Sequence, residues 1–154
     1  MPPSWMMLEV SSFGSLSSLY SNLIPGVDKR VIANHFGLSD KVLSSWLHSI
    51  VYLRNLCAHH SRLWNREMQI QPIIPRNPHH DFITQTSYLS QEGIVLPLNN
   101  KSYFILSMVI YLMKTINPKH NLQLKFRALL QKYPNIDPRA MGFPIGWDNE
   151  PIWK

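Results

Sequence analysis

Between Glu67 and Asn100 the chain carries Pro72, Pro75, Pro78 and Pro97. Each proline lacks the N–H that a helix interior needs, and its ring collides with the carbonyl one turn back. No long helix can run through this stretch, so it divides the chain into two helical groups. Ile70, Ile73, Ile74 and Ile94-Val95-Leu96 read as short extended pieces within it, with a short helix around Thr84 to Leu89. The span 67–100 is thus a long connection inside a single domain, 1–154, and connections of that length are often functional.

Apolar spacing places helices on both sides. Behind Pro2 and Pro3, Trp5 to Phe13 reads as one or two helical turns interrupted by Gly14. Leu16, Leu19, Tyr20 and Leu23 then recur at three- and four-residue intervals. Pro25-Gly26 makes a turn, Asp28 opens a helix through Val31, Ile32 and Phe36, and Gly37 closes it. Ser39 is a good N-cap for the next helix, with Asp40 in its first turn. After the connection, Asn99 or Asn100 caps an apolar helix from Lys101 to Ile116, stopped at Asn117-Pro118. A basic helix follows from Leu122 to Tyr133, then one turn from Asp137-Pro138. The tail with Gly142-Phe143-Pro144 and Trp147 folds back as an apolar lid. The fold class is all-α.

The helix begun at Ser39 carries the chemistry. At about 100° per residue, Leu43, Trp46, Leu47 and Ile50 share one stripe. Arg54 falls on that stripe, and Cys57, Ala58, Ser61 and Trp64 continue it. Arg54 therefore stands where the pattern calls for an apolar residue, and a desolvated guanidinium is costly without a partner. Asn55 and His59 share a different face, near Arg62. A guanidinium, an amide and an imidazole are the parts needed to hold a phosphate and move a proton. Arg54 and His59, however, lie about 140° apart on an ideal helix. Their joint use needs Arg54 to reach round, the helix to distort, or a second chain to bring its own copy.

The string Leu53-Arg54-Asn55-Leu56-Cys57-Ala58-His59-His60-Ser61-Arg62-Leu63-Trp64-Asn65-Arg66 resembles the signature of the bacterial abortive-infection (Abi-like) proteins of the HEPN superfamily. Two flanks resemble the same family: Pro3-Ser4-Trp5-Met6-Met7-Leu8-Glu9-Val10 with Phe13-Gly14-Ser15-Leu16-Ser17, and Met141-Gly142-Phe143-Pro144 with Trp147 and Pro151-Ile152-Trp153. The resemblance implies a HEPN-like helical bundle that pairs two-fold. It also implies a metal-independent endoribonuclease acting as a phage-defence or growth-arrest toxin. Arg54 and His59 would be its catalytic pair, with Asn55, Arg62 and Arg66 as phosphate or RNA contacts. Family members carry a further helical region before the Pro-x-Trp segment, so this chain reads as the C-terminal part of a longer pattern.

Plainer readings stand beside these. Arg54 can satisfy helix-end carbonyls, His59 can be a solvated imidazole, and Asn55 can bond backbone within the helix. Arg62 and Arg66 can be cations of a last helical turn, favoured by the dipole. His60 reads as a packing residue and Cys57 as a buried structural thiol. Lys125, Arg127 and Lys132 make either a nucleic-acid patch or a solvated face. The rival function is a non-catalytic helical module that binds RNA or a protein.

The formal net charge of +6 favours a polyanionic partner. RNA, a second copy of the chain, and an antitoxin protein or RNA are the expected partners. No cofactor is expected, and no metal site: His59-His60 and His79-His80 lack a carboxylate-rich companion motif. Nothing supports nucleotide hydrolysis or acyl transfer. The lone Cys57 and the absence of a basic leader or a spanning apolar run point to the cytoplasm.

Overall fold

A computed structural model describes residues 3–89 and 92–154; Pro2, and Ser90 and Gln91 of the connection, lie outside the described residues. The chain is mostly helical. Its helices are α1 (Ser4–Val10), α2 (Phe13–Asn22), α3 (Val27–His35), α4 (Asp40–Ala58), α5 (Ser102–Ile116) and α6 (Leu122–Lys132). Two short strands, β1 (Ser87–Leu89) and β2 (Val95–Pro97), pair antiparallel with Tyr88 opposite Leu96.

Helix α5 is the centre because it is apolar on every side, the pattern of a buried helix. Tyr103, Phe104, Ile105, Met108 and Tyr111 are all buried, and Trp46 of α4 packs its ring against Tyr111. The two buried serine hydroxyls in α5 are satisfied: Ser107 donates to the Tyr103 carbonyl at 2.8 Å, and Ser102 donates to the Leu63 carbonyl at 3.1 Å. The C-terminal tail closes one side, as its composition predicts. Phe143, Ile152 and Trp153 are buried, and Trp153 Nε1 donates to Ser107 Oγ at 2.8 Å.

The connection lies against the helices, held by its buried Met68, Phe82 and Ile83 and by hydrogen bonds as well as by the β1–β2 pairing. Trp46 Nε1 donates to the Ile73 carbonyl at 2.9 Å, and the Ile73 N–H donates to Ser45 Oγ at 3.0 Å. Glu150 of the tail accepts from the Thr84 N–H at 2.8 Å, from Thr84 Oγ1, and from the Gln85 N–H at 3.2 Å. These bonds anchor a bend at Thr84 ahead of β1, so the helix expected over Thr84 to Leu89 is a bend followed by a strand instead.

Three smaller expectations also change. The break after α1 is at Ser11-Ser12: Ser12 Oγ accepts from the Ser15 N–H, and Gly14 sits inside α2. Asn99 and Asn100 form a 3-10 turn, and the position preceding α5 is Lys101, without a side-chain cap. Ser39 does cap α4, accepting from the Val42 N–H.

Candidate functional site

Helix α4 ends sooner than its sequence suggests, and this places every motif residue. The His60 N–H donates to the Cys57 carbonyl at 3.0 Å and the Ser61 N–H to the Leu56 carbonyl at 2.9 Å. This paired closure is a Schellman motif. Its left-handed position, where glycine is usual, is His60 with φ of 52°. His59 is the residue just after the helix, still bonded through its N–H to the Asn55 carbonyl at 3.0 Å. Ser61, Arg62, Trp64 and Arg66 are therefore off the helix. The expectation that the stripe continues through Ser61 and Trp64 fails, as does the reading of Arg62 and Arg66 as last-turn cations.

The burial of Arg54 also differs. Leu43 and Trp46 are buried, Leu47, Ile50, Leu53 and Leu56 are half-buried, and Arg54 is exposed. The core-facing line of the last turns passes through Leu53, and Arg54 is one step of about 100° from it. Cys57 is exposed too, not a buried structural thiol, and His60 is exposed rather than a packing residue.

Instead of meeting the core, Arg54 turns along the surface. Its Nη1 donates to Asn55 Oδ1 at 3.2 Å. Asn55 lies one turn before His59, so the guanidinium leans toward the side of the helix on which His59 stands. Arg54 and Asn55 line a cleft of about 220 Å³ with Val51 and with Ser12, Phe13 and Gly14 from the start of α2. The first-turn N–H groups of a helix lack intrahelical partners and carry its positive dipole end. No acidic side chain lines this cleft. The cleft thus presents a guanidinium, an amide and a helix N-terminus, a set that suits an anion.

Arg54, His59, Arg62 and Arg66 form no ion pair among the described residues; the pairs found are Lys101–Glu67 and Arg139–Asp137. Arg62 is exposed and Arg66 half-buried, both in the irregular segment beyond His60. Arg54 and Asn55 meet through that one bond; His59 stands just past the end of α4 with no side-chain hydrogen bond to either among the described residues, and the two later arginines lie on the adjoining loop. Of the basic residues in α6, Arg127 is committed elsewhere: its Nη2 donates to the Trp153 carbonyl at 2.8 Å and the Asp148 carbonyl at 3.1 Å. It holds the tail and is not a free surface cation.

Two features escape sequence reasoning. One is a cleft of about 400 Å³ where Tyr88, Lys101, Arg139 and Asn65 meet, drawn from four distant segments that no local pattern links. The other is a serine-rich cleft of about 520 Å³ between α2 and α4, bordered by His48. Its signal was present: His48 stands seven residues before Asn55 and eleven before His59.

Among the described residues no helix is long and apolar enough to cross a membrane, and no three His, Cys, Asp or Glu side chains group as a metal site. A family model described as Abi-like protein matches residues 1–65, which takes in α1 to α4 and the motif through Asn65. The match supports the Abi-like resemblance over that part of the chain and stops before the C-terminal flank. No curated protein and no solved structure matches the chain.

Proposed function

We propose that this chain is a HEPN-type, metal-independent endoribonuclease that serves phage defence by arresting growth. The observation that carries the proposal is the Arg54–Asn55 bond. It leans the guanidinium toward the face that carries Asn55 and, one turn on, His59, in keeping with joint use of the two. The Abi-like match over the same segment supports the biological role.

In the proposed reaction the RNA 2′-OH attacks its own phosphorus, and the bond to the 5′-oxygen breaks. His59 handles the proton on or off the reacting oxygens. Arg54 stabilises the charge that builds on the phosphorane, and Asn55 fixes the direction in which its fork points. Arg62 and Arg66 hold flanking phosphates from the loop. Requiring the 2′-OH restricts cleavage to RNA. A second copy of the chain would bring its own Arg54 and His59 beside the first.

Labelled RNA incubated with EDTA-treated wild type, Arg54→Ala and His59→Ala protein tests the assignment. Cleavage by wild type alone is expected. Cleavage that survives His59→Ala, or that EDTA abolishes in the wild type, overturns it.

One observation favours the non-catalytic alternative. Every residue of α1 is exposed, including Trp5, Met7 and Val10. Such a surface suits a protein partner. RNA binding without turnover, unaffected by His59→Ala, is the outcome that selects this reading.

A further inference from the structure

The α4 surface that carries Asn55 and His59 does not begin with them. At about 100° per residue, His48 lies within about 20° of both, and it precedes Asn55 by two turns, about 10 Å along the axis. Helix α2 packs beside α4 and leaves two openings along their seam. One is the Arg54–Asn55 cleft; the other, at His48, is more than twice as large at about 520 Å³. The side chains of Ser18, Ser21, Asn22, Ser44 and His48 line the second opening and make no hydrogen bond to any described residue. No carboxylate lines it, and its one ring is the imidazole of His48.

We propose that this opening is a second RNA-binding position, in which His48 and Ser44 hold the phosphate and ribose of a nucleotide removed from the scissile bond. The inference rests on the RNA-cleavage reading. The chemistry of the lining selects the class of contact. Hydroxyl and imidazole donors match phosphate oxygens and a 2′-OH, and with the His48 ring engaged on the phosphate no Phe, Tyr or Trp lines the opening for a base to stack on. The contact is therefore to the strand's backbone and is indifferent to sequence. The same lining argues against a separate hydrolytic centre. Ser44 and His48 are neighbours on one helix, and no acid borders the opening to orient the imidazole.

The test compares wild type, His48→Ala and Ser44→Ala on a dinucleotide and on an octanucleotide of uniform sequence. The seam position predicts that His48→Ala raises KM for the octanucleotide by about five- to tenfold, the loss of one ordinary solvent-exposed hydrogen bond. Its kcat and its cleavage of the dinucleotide stay unchanged. Equal losses on both substrates, or no loss on either, overturn the proposal. Should wild-type protein cleave neither, the cleavage reading fails on its own. The seam is then decided by fluorescence anisotropy of the labelled octanucleotide. Binding weakened five- to tenfold by His48→Ala sustains it; equal binding by the two proteins, or no binding by wild type, overturns it.

Discussion

Arg54 and His60 show how far a single position can depart from the pattern around it. Periodicity predicts Arg54 inside an apolar stripe, and on that basis Arg54→Leu would stabilise the fold. The exposed guanidinium changes the expectation: Arg54→Leu shifts stability by no more than about 0.5 kcal/mol, as surface substitutions do. Arg54→Lys melts like wild type yet loses RNA cleavage, because an ammonium cannot reproduce the planar fork. Thermal melts beside cleavage rates check both. His60 is in the left-handed region that costs an L-residue about 1 kcal/mol or more. His60→Gly should accordingly raise stability by about 1 kcal/mol in urea titration, and His60→Val should lower it. No sequence signal marked this helix end. The usual glycine is absent, and Leu56 to Trp64 keeps the apolar spacing that a longer helix would have.

At the scale of elements, the helices and the extended piece at Ile94-Val95-Leu96 were legible, and the first half of the hairpin, β1, was not. Ser39, Gly37, Pro25 and the block at Asn117-Pro118 are local signals, and the end of α2, both ends of α3, the start of α4 and the end of α5 lie close to them. Strand β1 owes its form to partners far along the chain: Val95 to Pro97 on one side and, at its approach, Glu150. Local residues cannot announce such pairings. Glu150 accepts from two backbone N–H groups and one hydroxyl while almost buried. Glu150→Gln presents an amide donor where an acceptor is needed, and should cost about 1–3 kcal/mol. Hydrogen exchange should locate the effect, with the Thr84 and Gln85 amides losing protection before those of α5. Unchanged protection at both amides would show that the carboxylate does not hold the connection.

The molecule as a whole is a buried aromatic core with its candidate chemistry on the exposed residues at one helix end. The core carries a pH signature. Burial raises the pKa of Tyr103, with a further push from Glu150, and burial also raises those of Tyr111 and Tyr20. A raised folded-state pKa means that the neutral phenol is favoured in the fold. Stability is therefore intact below the usual tyrosine pKa near 10 and is lost as the pH rises through the folded values. The Tyr103 hydroxyl is buried without a hydrogen-bond partner. Tyr103→Phe should hence leave the fold as stable or more stable by about 1 kcal/mol at pH 7, and should move alkaline unfolding to higher pH. The site was legible in its residues but not in its geometry. Arg54, Asn55 and His59 stand out in the string, whereas their approach depends on a side-chain bond and on where α4 stops.

The central claim is that these three residues cut RNA through its own 2′-OH, and the ends of the product report this most directly. EDTA-treated wild-type protein should leave a 2′,3′-cyclic phosphate on one fragment and a 5′-hydroxyl on the other, and His59→Ala should leave the RNA intact. A 5′-phosphate on the downstream fragment, or the same cyclic ends from His59→Ala, would contradict the account.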